Sequence, residues 1–255
     1  MGKLNNPNNY SVVILAAGIG QRLNIENFDS PKCLLKIHGK TLIQIILENL
    51  MARGFSDVNM IVGFKNQDII KAINSYKRIP KVDFIKIKNY STNGHGLTLF
   101  RYKNKWRTNK KPIIMLHADL YFDWKYFDEV LSDKNKDILG LTTFKFAKTS
   151  PDSLAIGQNK YSIINSIHYK KNIKNPMGQV LCINKISAET ASRLFSYMTN
   201  YFKQKDYKKH PWEIIFNNFI DQNDIHFFAN KQKDYPWFNI NKIDDYIAAK
   251  SYNLK

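Results

Sequence analysis

The residues best placed to do chemistry stand near the start of the chain, where the apolar run Val12-Val13-Ile14-Leu15 leads into Ala16-Ala17-Gly18-Ile19-Gly20-Gln21-Arg22. A buried strand that opens into small residues lets successive backbone N–H groups approach a ligand closely and form an anion-binding nest. Arg22 adds a forked donor suited to phosphate oxygens, and Pro31-Lys32 supplies a second cation on a stiff segment. A third group stands far along the chain. Asp119 follows the apolar run 111–117, so it belongs at a strand end, where a carboxylate can hold Mg²⁺ between protein and phosphates. Together these residues predict a site for a phosphorylated ligand.

Two familiar phosphate-binding patterns do not fit. A dinucleotide fingerprint needs a third glycine three residues after the second, but position 23 is Leu. Gly39-Lys40-Thr41 has the ending of a Walker loop, yet position 34, where its first glycine belongs, is also Leu. Gly39-Lys40-Thr41 therefore reads as the approach to a helix. The chain carries a formal charge of +18, which calls for an acidic partner. Its lysines are spread along the sequence, without a basic tail or a nucleic-acid recognition motif, so a small polyphosphate is expected rather than a nucleic acid. Two cysteines, Cys33 and Cys182, cannot make a disulfide framework or a zinc site, and a reduced cytoplasmic setting is the default. No apolar run reaches the roughly 18 residues of a membrane span.

The elements that must position these residues alternate. Thr41 to Arg53 repeats apolar residues at helical spacing (Leu42, Ile43, Ile46, Leu47, Leu50) and stops at Gly54. A strand over 57–62, a helix over 67–76 and a strand over 82–87 follow. Residues 111–117 form a buried central strand, 124–133 a helix and 138–146 another strand. Residues 152–167 read as short strands around a turn at Gly157-Gln158-Asn159. A helix over 188–202, a charged connector over 203–210 and a helix opening at Trp212-Glu213 complete the pattern. This predicts a Rossmann-like α/β three-layer sandwich with a mainly parallel, mixed sheet and its ligands at the carboxyl ends of the strands. Residues 1–10 form a loose tail. Residues 11–255 form a single domain of two halves, 11–150 and 151–255.

Leu15-Ala16-Ala17-Gly18-x-Gly20-x-Arg22-Leu23, Pro31-Lys32-x-Leu34-Leu35 and Gly39-Lys40-Thr41-Leu42-Ile43 together resemble the signature of the nucleotidyltransferase family. That family includes sugar-1-phosphate nucleotidyltransferases and phosphocholine cytidylyltransferases. The resemblance implies that 11–150 is the nucleotide-binding half and 151–255 the acceptor-binding half, and that Leu15, Ala16, Ala17, Gly18 and Gly20 cradle the nucleotide. It also implies that Arg22 holds the β- and γ-phosphates and that Lys32 reaches the α-phosphate. The loop Thr92-Asn93-Gly94 is similar to the family's base-binding loop, being close both to phosphocholine-type and to amino-sugar uridylyltransferase versions. Asp119 and Asn241 correspond to the family's Mg²⁺ ligands, with Ala118 where Gly is usual and Asn where the second acid commonly stands. Lys170 or Lys171 would touch the acceptor phosphate. Gly178-Gln179 and the Trp212-Glu213 pair are similar to acceptor-facing segments, so Glu213 joins the acceptor site.

The implied reaction is Mg²⁺-dependent attack of a phosphate monoester on the α-phosphorus of a nucleoside triphosphate, with release of pyrophosphate. CTP and a small acceptor, phosphocholine-like or a phosphorylated amino acid such as phosphoglutamine, are the first expectation, with bacterial capsule decoration as the setting. A sugar-1-phosphate nucleotidyltransferase using UTP or dTTP is the alternative. From other classes, a nucleic-acid-binding protein and a nucleotide-sensing pseudoenzyme stay open. Tyr121, Tyr169, Trp212 and Trp237 could enclose a cationic head group, although a core role suits most of them better. No membrane insertion is expected, and the oligomeric state is open, a homo-oligomer included.

Overall fold

A computed structural model describes residues 6–20, 23, 29–142, 153–158, 162–171, 173–232 and 235–254. Arg22 lies outside the described residues, as do the end of the strand expected over 138–146 and Asn159. The elements in chain order are β1 (Ser11–Ala16), β2 (Lys36–Ile37), β3 (Lys40–Thr41), α1 (Leu42–Ala52), β4 (Val58–Val62), α2 (Asn66–Ser75), β5 (Val82–Lys86), α3 (His95–Arg101) and α4 (Lys103–Asn109). They continue with β6 (Ile113–His117), β7 (Leu120–Phe122), α5 (Trp124–Ser132), β8 (Ile138–Thr142), β9 (Ser153–Gln158), β10 (Ile163–Tyr169) and β11 (Gly178–Ile186). Last come α6 (Ala188–Tyr201), α7 (Trp212–Asn223), β12 (Phe227–Gln232), β13 (Trp237–Asn239) and α8 (Ile243–Lys250).

Nine strands form one sheet in the order β5-β4-β1-β6-β11-β8-β12-β10-β9. The first four are parallel, with β1 between β4 and β6, and Val12, Val13 and Ile14 are wholly buried there. A strand covered on both faces has no polar face to alternate with, which is why β1 reads as an unbroken apolar run. β11 then runs antiparallel to both β6 and β8, so the parallel arrangement is confined largely to the first half and the second half is mixed. β9 pairs with β10 and also with Gly178 and Gln179 of β11, which brings the far edge of the sheet back toward its middle.

Gly157 and Gln158 are strand residues, paired with Ile164 and Ile163, and not the turn the sequence suggested. Glycine followed by a polar residue mimics a turn signal. Here a Cβ at position 157 would collide with the Ile163 carbonyl, so the glycine serves close strand approach. Between Ile37 and Lys40 the chain makes a two-residue hairpin with His38 and Gly39 at positive φ, and the following Thr41 caps α1 by accepting from the Gln44 N–H at 3.1 Å. The apolar stripe of α1 is buried as its spacing predicts. Arg53 at its end forks onto Asp128 at 2.7 and 3.0 Å, fastening α1 to α5.

Two apolar clusters organise the interior. The larger one fills the sheet and its helices. The smaller one gathers Leu35, Ile37, Tyr121, Phe238, Ile240 and Ala249, so it joins the segment after Lys32 to β7 and the C-terminal β13–α8 unit. β13 pairs antiparallel with β7 (Asn239 opposite Leu120), and the Ile240 N–H donates to the Asp119 carbonyl at 3.0 Å. That pairing sets Asn241 beside Asp119 although 122 positions separate them in sequence. Among the described residues no helix is long and apolar enough to cross a membrane.

Gly63, just past β4, supports the loop after β1 from below. The Phe64 N–H donates to the Ala17 carbonyl at 3.2 Å, and a Cβ on residue 63 would stand 2.8 Å from that oxygen and 2.6 Å from Tyr90 Cβ. Gly63→Ala should therefore lower unfolding stability by about 1–3 kcal/mol, as overpacking against rigid backbone does. A urea melt of the variant that superimposes on that of the parent would refute this packing argument.

Candidate active site

A cleft of about 460 Å³ opens at the carboxyl ends of β1 and β6 and is walled on its other side by β9, β10, β11 and the start of α7. Lys32 sits at its floor. The Lys32 ammonium donates to Asp119 Oδ2 at 2.8 Å, Asn241 Oδ1 at 3.0 Å and the Ile240 carbonyl at 3.1 Å. Its side chain passes over Gly20, which has φ +75°, and a Cβ there would lie 2.7 Å from Lys32 Cγ. Glycine at position 20 is thus required twice, for its left-handed backbone and for the passage of Lys32.

Asp119 titrates below its ordinary value of 3.8. Burial alone pushes the carboxyl up, but the Lys32 charge, then His117 and the hydrogen bond from Lys32, together outweigh it. His117 Nδ1 is 3.9 Å from Asp119 Oδ1, and the His117 ring meets that of His95 edge-on at 5.6 Å. His95 Nδ1 in turn stands 3.7 Å from Glu213 Oε2, while the Ser153 hydroxyl donates to Glu213 Oε1 at 3.3 Å. A continuous polar line therefore crosses the cleft from Lys32 to Glu213. Glu213 is buried in the first turn of α7, where the partial positive charge of the helix terminus favours a carboxylate.

The sequence-predicted residues divide. Leu15, Ala17, Gly18, Gly20, Lys32, Asn93, Asp119, Glu213 and Asn241 all line this cleft. Ala16 lines a small side cavity beneath it, with Pro31, Cys33 and Ala118. Thr92 is exposed and its hydroxyl donates to the Asn89 carbonyl, while the Gly94 N–H donates to the Lys208 carbonyl at 2.8 Å, which fastens the loop to the 203–210 connector. Tyr90 and Ser91 line the cleft from that loop instead. Lys170 and Lys171 are exposed beyond β10; Lys170 Nζ stands 5.2 Å from the Tyr169 ring centre, and the residue of that segment that reaches the cleft is Tyr169. The sequence alone assigns no site role to His95, His117, Ser153 or Asn239, yet all four line the cleft. For His117 the signal was available, since it ends the strand whose next acidic residue is Asp119.

Asp119 Oδ2, Asn241 Oδ1 and the Ile240 carbonyl converge on one point, and an all-oxygen set with a single carboxylate suits a hard cation that takes its remaining ligands from phosphates and water. These residues fit Mg²⁺. Among the described residues no three His, Cys, Asp or Glu side chains cluster as a self-sufficient metal centre.

A half-parallel α/β sheet with a glycine loop after its central strand, and a cation–carboxylate pair facing that loop, has the nucleotidyltransferase fold. Residues 12–122 match the MobA-like NTP transferase domain. The chain is 23% identical over 196 residues to the bifunctional protein GlmU of Blochmanniella pennsylvanica, an alignment covering 76% of this chain and 40% of that protein. It is 32% identical over 115 residues to CTP:phosphoglutamine cytidylyltransferase of Campylobacter jejuni, covering 44% of each. These two alignments thus cover less than half the length of each curated relative. The solved CTP:phosphocholine cytidylyltransferase of Streptococcus pneumoniae (LicC) superimposes with a TM-score of 0.74 over 95% of this chain and 98% of that one, at 17% identity, which speaks for the fold alone.

Cys33 adjoins the site but is shut from solvent, and burial, reinforced by the Asp119 charge, pushes its thiol up to about 12 from 9.0. Its thiol form adds stability that is complete below pH 9 and is lost as pH rises toward 12. In peptide-resolved alkylation at pH 8, Cys33 should stay unmodified in the native protein and react once it is unfolded in urea. Rapid native labelling of that peptide would contradict the buried placement.

Proposed function

We propose that this chain is a nucleotidyltransferase that joins a nucleoside triphosphate, CTP by preference, to a small phosphorylated acceptor and releases pyrophosphate. The observation that carries this reading is the meeting of Lys32, Asp119 and Asn241 opposite the Gly18–Gly20 loop. In this reading the loop amides bind the β- and γ-phosphates and Arg22 joins them. Lys32 turns to the α-phosphate, where negative charge builds as pyrophosphate leaves. Asp119 and Asn241 would hold Mg²⁺, which when bound supplies charge neutralisation at the reacting phosphorus. The acceptor phosphate is already ionised at neutral pH and needs no base, so the chain's contribution is alignment and charge. The phosphoglutamine relative supports CTP as nucleotide.

The acceptor wall favours a polar partner. Of the four aromatic residues that could cage a quaternary ammonium, Trp212 and Trp237 are buried in the core and Tyr121 stacks on Phe238 in the smaller cluster, leaving only Tyr169 at the cleft. The wall instead offers Glu213, Ser153, Gln179 and Asn239. The Gln179 side-chain oxygen is buried with no hydrogen-bond partner among the described residues. Oxygen acceptors at the free end call for a ligand with N–H or O–H donors. A phosphorylated amino acid satisfies this, and so does a sugar-1-phosphate, the second reading. Phosphocholine has no donor to offer there.

Pyrophosphate release should accordingly be fastest with CTP and a donor-bearing phosphate ester such as phosphoglutamine or a sugar-1-phosphate. Turnover of phosphocholine matching or exceeding these would reverse the acceptor assignment, and no pyrophosphate from any of the four nucleotides would remove the enzymatic reading. Lys32→Ala should lower kcat by about 10²–10³, the scale for losing one charge-stabilising donor, with a much smaller change in the KM for nucleotide. Glu213→Gln should raise the acceptor KM by about tenfold, the cost of one charge-assisted hydrogen bond, and leave the nucleotide KM in place. A Glu213 effect confined to the nucleotide KM would move that residue out of the acceptor site.

A further inference from the structure

Lys32 does more in the ligand-free protein than wait for a phosphate. We infer that its ammonium occupies the oxygen cage of the divalent cation and keeps the cation out until a triphosphate draws the side chain away. This inference rests on the nucleotidyltransferase reading, and it concerns the order in which that site fills.

The three oxygens that fit Mg²⁺ are the same three that receive Lys32: Asp119 Oδ2, Asn241 Oδ1 and the Ile240 carbonyl, all within 3.1 Å of Nζ. A divalent ion bonded to Asp119 and Asn241 at about 2.1 Å would stand within about 5 Å of Nζ, so the two cations compete for the same lone pairs and repel each other. The cage holds one carboxylate, already paired with Lys32. It has no second charge to offer an ion, and Mg²⁺ gives up its water reluctantly to so few ligands. The arrangement is also held in place. The lysine is largely buried and its stem runs in the groove that Gly20 leaves open, so an alternative position for the ammonium in the free protein would need another anion to receive it. A triphosphate is such an anion. Its arrival transfers Lys32 to phosphate and frees Asp119 and Asn241 together, which makes the metal–nucleotide complex the species that binds and leaves the bare ion without a site.

The test is Mn²⁺ binding to the nucleotide-free protein, followed by electron paramagnetic resonance of the unbound ion. Wild-type protein should bind almost none at millimolar Mn²⁺. Lys32→Met keeps the aliphatic stem over Gly20 and removes the charge, and should bind Mn²⁺ at least about tenfold more tightly, since a neighbouring positive charge is gone. Adding Asp119→Asn to that variant should abolish the gain. Lys32→Ala serves as a second charge-removing variant, and melting curves establish that each is folded. Equal binding by wild type and both charge-removed variants would overturn the inference, and so would a gain that survives Asp119→Asn. Because no nucleotide is present, this outcome is independent of the pyrophosphate assay: absent turnover with the expected Mn²⁺ pattern would sink the enzymatic reading and spare the cage.

Discussion

One ammonium group holds three remote parts of the chain together. Lys32 comes from the loop after β1, Asp119 from the end of β6, and Ile240 and Asn241 from the segment leading into α8, and all meet at Lys32 Nζ. A largely buried charge tolerates this only when its hydrogen bonds are filled, because an unpaired ion in such surroundings is strongly destabilising. The Lys32–Asp119 pair is therefore a constraint on the fold as well as the centre of the proposed site. The loop, the strand end and the C-terminal unit must be placed correctly at once for any of the three to be stable there.

The rest of the architecture can be understood as the means of meeting that constraint. The parallel strands β5, β4, β1 and β6 all end at the same edge, which puts the glycine loop and Asp119 side by side. The β7–β13 pairing and the smaller apolar cluster carry the chain back from a distant position to lay Asn241 against Asp119. β11, antiparallel to β6, starts at Gly178 and Gln179 on the cleft side, and β9 pairs there too, so a wall made from the second half faces a floor made from the first. Glu213 enters that wall through α7 and is reached from the floor through His95 and His117.

Local features of this arrangement were legible in the sequence where one element carried the whole signal. The apolar stripe of α1 with its Thr41 cap, the unbroken run of β1, and the small residues from Ala16 to Gly20 are each complete within a dozen positions. Features that depend on two distant segments were not. The polar line through His95, His117 and Ser153 exists only because α3, β6 and β9 are brought together by the sheet order, and each residue alone looks like a helix start or a strand end. Thr92 and Lys170 show the opposite limit, since a polar residue in a loop of the right place reads as a ligand contact even when the fold leaves it outside the cleft. Gly157 read as a turn because close strand approach and chain reversal both select glycine.

The charge of the whole molecule and the charge of the cleft are separate matters. The chain carries +18, yet among the described lining residues Lys32 is the one lysine or arginine, and it is already committed to Asp119, with Glu213 a further acid in the wall. The excess positive charge consequently lies outside this lining, where it can raise the local concentration of a polyanion but is screened beyond about 8 Å at physiological salt. In the proposed reading, holding the polyanion falls to Arg22 together with the uncharged backbone N–H groups around Gly18 and Gly20, which need no counter-ion in the empty site. A cleft lined with free arginines would attract phosphate of every kind and would have to desolvate those charges each time. Pairing the lysine with the aspartate instead makes the strongest cation of the described floor available only in exchange for a ligand anion, and the same exchange releases the carboxylate. In the proposed reading, binding of the nucleotide and exposure of the oxygens that face it thereby become one event, written into a single ion pair.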